Sequence, residues 1–109
     1  MSEKLVRDGI PEVIRASGHE PLYRVADESE RRALLLDKLR EEAQEAAVAA
    51  HDGELLSELA DLAEVMCALL NESGWTLSDL RTAMSAKNAE RGAFRLGLVL
   101  QMDDAPRAN

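Results

Sequence analysis

This 109-residue chain has a single cysteine, three aromatic residues and no long apolar run. A lone Cys67 excludes an intrachain disulfide and any zinc site built on cysteine. With Tyr23, Trp75 and Phe94 as the only rings, the core must come from Leu, Val, Ala and Met, residues that suit helices better than a β-sandwich. No apolar stretch reaches the roughly 18 residues that span a bilayer. The opening Met1-Ser2-Glu3-Lys4-Leu5-Val6-Arg7-Asp8 also has no apolar segment of a signal peptide. Cations are scarce too. Thirteen Lys and Arg against 21 Asp and Glu give a net charge of -8, which argues against a nucleic-acid partner, because phosphate backbones are held by cations. The expectation is a small, acidic, cytoplasmic, all-α protein: one helical domain over residues 1–102, with a flexible C-terminal tail at 103–109.

Turn and cap residues divide the chain. Lys4 to Arg7 reads as extended. Pro11 suits the first turn of a short helix from Ile10 to Ser17, and Gly18 suits its end. Pro21 to Val25 is again extended. Asp27 with Glu30 predicts a capped start for a long helix from Glu28 to Ala50. His51-Asp52-Gly53 is a tight connection, with His51 a turn residue, and a second long helix runs from Glu54 to Ser73, closed by Gly74. Thr76 or Ser78 caps a fourth helix that ends at Arg91-Gly92, and Ala93 to Met102 is apolar and suits an extended segment.

A short connection makes the two long helices antiparallel neighbours. At roughly 100° per residue the apolar arc of the second long helix (Leu55, Leu56, Leu59, Leu62, Val65, Met66, Leu69 and Leu70) covers about half the circumference. One partner helix cannot cover that arc, so a homodimer or homotetramer with a four-helix-bundle core is expected.

The chemistry lies in the acidic residues of these helices. Glu41-Glu42-Ala43-Gln44-Glu45 is followed, after twelve residues, by Glu58-Leu59-Ala60-Asp61. Residues three or four apart on a helix share a face, so Glu42 with Glu45, and Glu58 with Asp61, form two pairs that antiparallel packing can bring together. On the first long helix, Leu35, Leu39, Ala43, Ala46 and Ala50 centre the apolar face; Glu42 borders it and Glu41 points away. Most Glu-rich helices simply present a solvated face, and Glu41 fits that reading. Glu58 does not, because it falls between Val65 and Leu69 inside the apolar arc. A carboxylate there needs a proton, a cation or strong donors. An all-oxygen cluster without His or Cys suits a hard ion, Mg²⁺ or Mn²⁺; the alternative is a structural ion pair, with Lys38 as the nearest cation.

Glu-Glu-x-x-Glu followed at a distance by Glu-x-x-Asp resembles the metal signature of the MazG-like all-α nucleoside triphosphate pyrophosphohydrolases. The opening Lys4-Leu5-Val6-Arg7-Asp8-Gly9-Ile10-Pro11 is similar to the Lys-Leu-Val-Arg-Asp-Lys-Ile-Pro start of one branch, with Gly9 where that branch has Lys. Lys38-Leu39-x-Glu41-Glu42 and Lys87-x-x-x-Arg91-Gly92-x-Phe94 match later parts of the same branch. The resemblance implies hydrolysis of a nucleoside triphosphate, standard or non-standard, to monophosphate and pyrophosphate by a metal-activated water. It assigns Mg²⁺ or Mn²⁺ to Glu42, Glu45, Glu58 and Asp61, and gives Glu41 a supporting or water-orienting role. Lys38 then either pairs with Glu42 or reaches a phosphate, and Lys87, Asn88 and Arg91, with Lys4 and Arg7, become candidate substrate contacts. Two other readings stand beside it: a phosphoribosyl-ATP pyrophosphohydrolase of histidine biosynthesis, and a non-catalytic acidic helical module that binds a basic partner.

Overall fold

The structure is a computed structural model that describes residues 3–102. The tail expected at 103–109 lies outside the described residues. Among the described residues four helices follow in order: α1 (Ile10–Ala16), α2 (Glu28–Ala47), α3 (Asp52–Glu72) and α4 (Leu77–Arg91). No strand occurs among the described residues, so the fold is all-α, as the composition predicts. None of these helices is long and apolar enough to cross a membrane. The chain divides into two compact units, Met1–Leu77 and Ser78–Asn109.

In the first unit α1 and α3 end in the same way. After α1, Gly18 takes φ 93°, its N–H donates to the Arg15 carbonyl at 3.1 Å, and the His19 N–H donates to the Ile14 carbonyl at 3.3 Å. After α3, Gly74 takes φ 80°; its N–H reaches the Asn71 carbonyl at 3.2 Å and the Trp75 N–H reaches that of Leu70 at 2.8 Å. Both are Schellman endings, which require a residue free to adopt positive φ. At the start of α2, the Asp27 carboxylate accepts from the Glu30 N–H at 2.9 Å, as predicted. The Glu30 side chain does not complete the box. It is taken by Arg24, which also holds Glu3 at 3.0 Å.

α2 and α3 pack against each other in antiparallel fashion. At one end Arg31 Nη1 donates to Glu72 Oε1 at 2.9 Å and Arg32 Nη2 donates to Ser73 Oγ at 3.2 Å; at the other end Glu42 approaches Glu58. Leu35 is the buried hydrophobic residue of this pair, at 6% exposure. Leu39 and Ala46 are half-buried beside it, whereas Ala43 and Ala50, expected on the same apolar face, are exposed.

The α2–α3 connection differs from the expected one. α2 stops at Ala47, three residues before Ala50, and α3 begins at Asp52 rather than Glu54. His51 is not a plain turn residue: its Nδ1 accepts from the Glu54 N–H at 3.1 Å, while Glu54 Oε2 accepts from the Ala50 N–H at 2.9 Å. This reciprocal cap engages the backbone N–H groups of Ala50 and Glu54 and starts the new helix early.

α4 begins at Leu77, the last residue of the first unit, which leaves Thr76 just before the helix and Ser78 inside it. Residues 93–102 form no regular element, and Phe94, Leu96, Leu98 and Val99 are each more than 80% exposed.

Candidate active site

Near its C-terminal end α2 presents Glu42, and α3 presents Glu58 and Asp61 one turn apart on the facing side. One carboxylate oxygen from each of the three lies within 4.8 Å of the others. The Glu42 side chain is only 12% exposed. Its Oε2 and the Oε2 of Glu58 are buried with no hydrogen-bond partner. Carboxylate oxygens withdrawn from water without a donor are costly and uncommon in folded proteins. The cost is visible in their acidity. Burial raises the Glu42 carboxyl above its ordinary range, and the charges of Glu45, Asp61 and Glu41 add to this against the opposing pull of Lys38. Burial likewise raises Glu58, followed by hydrogen bonding and charge from Glu45 and the charges of Asp61 and Glu42. An all-oxygen set with lone pairs left open fits a hard divalent cation.

The remaining predicted residues take different positions. Glu45 is exposed and is not one of the three converging groups, yet its charge acts on both Glu42 and Glu58. Glu42 faces α3 more squarely than its place at the border of the apolar face suggested. Lys38, at 17% exposure, sets its Nζ 3.4 Å from Glu41 Oε1 and 3.8 Å from Glu42 Oε1, so it pairs with both. Glu41 is exposed and is not one of the three converging groups. Arg7 reaches in from the N-terminal segment, and its Nη2 donates to Asp61 Oδ1 at 2.7 Å. Among the described residues Lys4 is exposed and forms no ion pair. Lys87, Asn88 and Arg91 lie exposed on the last turns of α4, in the second unit. A cavity of about 570 Å³ opens at the opposite end of the α2–α3 pair, lined by Asp27, Glu28, Ser29, Arg32 and Glu72, and contains none of the clustered carboxylates.

Residues 16–88 match the phosphoribosyl-ATP pyrophosphohydrolase family, a span that takes in all of α2 and α3 and every clustered carboxylate. The chain belongs to this family. Membership in the phosphoribosyl-ATP pyrophosphohydrolase family sets the general kind of chemistry, cleavage of a pyrophosphate linkage in a nucleotide, to which the MazG-like resemblance also pointed. The matched span leaves out the Lys4 to Pro11 opening and the Arg91 to Phe94 segment. No curated protein and no solved structure matches the chain.

Proposed function

We propose that this family member is a Mg²⁺- or Mn²⁺-dependent nucleoside triphosphate pyrophosphohydrolase. It adds water at the α-phosphorus and releases nucleoside monophosphate and pyrophosphate. The observation that carries the reading is the convergence of Glu42, Glu58 and Asp61 oxygens within 4.8 Å, two of these groups having a buried oxygen without a partner. Glu42, Glu58 and Asp61 would hold the ion, with Glu45 completing the set from the exposed side. A bound divalent cation would neutralise charge on the phosphates and lower the pKa of a coordinated water. Glu41, paired with Lys38 beside the cluster, would support the ligands or orient the attacking water. Phosphoryl transfer depends on positioning and on charge stabilisation. Arg7 and Lys38 supply cations at the cluster itself, and Lys87, Asn88 and Arg91 are further candidates for the triphosphate tail. The protein works as a homo-oligomer, because α3 leaves Leu56 71% exposed and Leu59 45% exposed.

The family match itself favours a second reading, in which phosphoribosyl-ATP is the substrate. Its bond cleavage is the same. The Lys4 to Pro11 opening supports the first reading: it lies outside the matched span, resembles the MazG-like branch and brings Arg7 to the cluster. A pyrophosphate-release screen over standard and modified nucleoside triphosphates, with phosphoribosyl-ATP alongside and Mg²⁺ and Mn²⁺ in parallel, tests both. Turnover of one or more triphosphates that stops in excess EDTA is expected. Full-rate hydrolysis in EDTA overturns the metal dependence, and turnover of phosphoribosyl-ATP alone selects the second reading.

A further inference from the structure

We propose that Arg7 is an exchangeable latch on the carboxylate cluster. Its guanidinium holds Asp61 in the metal-free protein, releases it when a divalent cation binds, and is then free for a phosphate of the incoming substrate. The inference deepens the metal-site reading above and rests on it.

Two cations touch the cluster, and they differ in kind. Lys38 belongs to α2, is largely buried, and pairs with Glu41 and Glu42 one turn away on its own helix. Arg7 comes from 54 residues away in sequence, and its pair with Asp61 is open to water, with the two side chains 58% and 43% exposed. Exposed pairs of this kind are held weakly and exchange readily. Asp61 is also one of the three residues whose oxygens converge. A divalent cation there brings twice the charge of the guanidinium to the same carboxylate and repels it. The coupling is reciprocal: whatever Arg7 takes from metal affinity, the metal takes from the hold of Arg7.

Release would not carry the segment away. The Arg7 carbonyl accepts from the Ile10 N–H at 3.0 Å, which ties its backbone to the start of α1. Glu3 is bound independently by Arg24, which also holds Glu30 on α2. The backbone bond to Ile10 keeps Arg7 beside α1, and among the described residues its guanidinium pairs with Asp61 alone. A freed guanidinium stays at the edge of the cluster, where its planar fork suits a phosphate oxygen pair.

The test uses Mn²⁺ titrations of the full chain, followed by loss of the free-ion electron paramagnetic resonance signal, for wild type, Arg7→Gln and Arg24→Gln. Arg7→Gln is expected to bind Mn²⁺ about three- to tenfold tighter, because a positive charge next to the ion is gone. Arg24→Gln loosens the same segment without altering charge at the cluster and is expected to stay within about twofold of wild type. Equal or weaker Mn²⁺ binding by Arg7→Gln overturns the latch, as does an equal gain in Arg24→Gln. Absence of Mn²⁺ binding by the wild type overturns instead the metal reading beneath it. In the presence of Mg²⁺, inorganic pyrophosphate is expected to bind Arg7→Gln at least about threefold more weakly; equal binding overturns the hand-over to phosphate.

Discussion

Glu58 answers to two opposing demands: it sits half-buried on α3 with one oxygen unpartnered, and it faces Glu42, Glu45 and Asp61. Its native pKa is raised from 4.5, and so is that of Glu42. A carboxyl with a raised native pKa binds more protons folded than unfolded between its ordinary value and its raised one, so in that window stability falls as pH rises. Asp27, Glu3 and Glu30 have lowered values, and what they contribute is lost only as pH falls below the ordinary range. Metal-free protein should therefore melt at higher temperature as pH is brought down through the raised range of these two carboxyls towards about 4.5, the opposite of ordinary acid denaturation. Glu58→Gln keeps the shape and removes the charge. It should flatten that pH dependence and melt, in EDTA at neutral pH, at or above the wild-type temperature. With Mn²⁺ it should lose at least about a hundredfold in activity, since an amide is a poorer ligand for a hard ion and even outer-shell changes cost about ten- to a hundredfold. A variant that melts well below wild type in EDTA and still hydrolyses nucleotides would show Glu58 to be one half of a structural ion pair.

The join between α2 and α3 decides whether the two halves of the cluster meet, and it rests on one local device. The ring of His51 accepts the Glu54 N–H while the Glu54 carboxylate accepts the Ala50 N–H. His51→Ala removes the acceptor and should cost about 0.5–2 kcal/mol, a typical loss for an N-cap. At a few degrees per kcal/mol for a chain of this size, thermal melts resolve that difference. His51→Asn, which retains a side-chain acceptor, should recover most of it, and a His51→Ala protein as stable as wild type would rule the cap out. This is also where reading from sequence fell short. The helices themselves were legible, because glycines at 18 and 74 and Asp27 at a start are strong local signals with a stereochemical cause. Histidine is a rare cap, so residue 51 reads as a turn residue rather than as a helix start, and the first long helix reads three residues too long. The site divides in the same way. Glu58 stood out because it interrupts an apolar arc, a feature of one helix alone. How far Glu42 and Glu45 turn inward depends on the packing of α2 against α3, and the pairing of Arg7 with Asp61 spans 54 residues, so local spacing encodes neither.

Taken as a whole molecule, the chain has little that can count as a core. Among the described residues Leu35 is the buried hydrophobic side chain, whereas Leu36, Leu55 and Leu59 are between 36% and 45% exposed and Leu56 is 71% exposed. Two packed helices cover one stripe each, and the arc of α3 is wider than that stripe. A domain of this length ordinarily hides well over half of the surface its unfolded chain exposes. A second copy laid against the leucine face would supply the missing two helices and complete a four-helix core, which calls for an interface on the order of 1,200–2,000 Å². Association of this kind would be bound up with folding rather than added to it. Light scattering at micromolar concentration should therefore return two or four times 12.0 kDa. The melting temperature should rise with protein concentration, because a folded oligomer is favoured by mass action. Leu59→Glu puts a charge on that face and should lower both the apparent mass and the melting temperature. A particle of 12.0 kDa whose melting temperature is independent of concentration would mean that the exposed leucines of α3 remain in water, and the four-helix core would have to be abandoned.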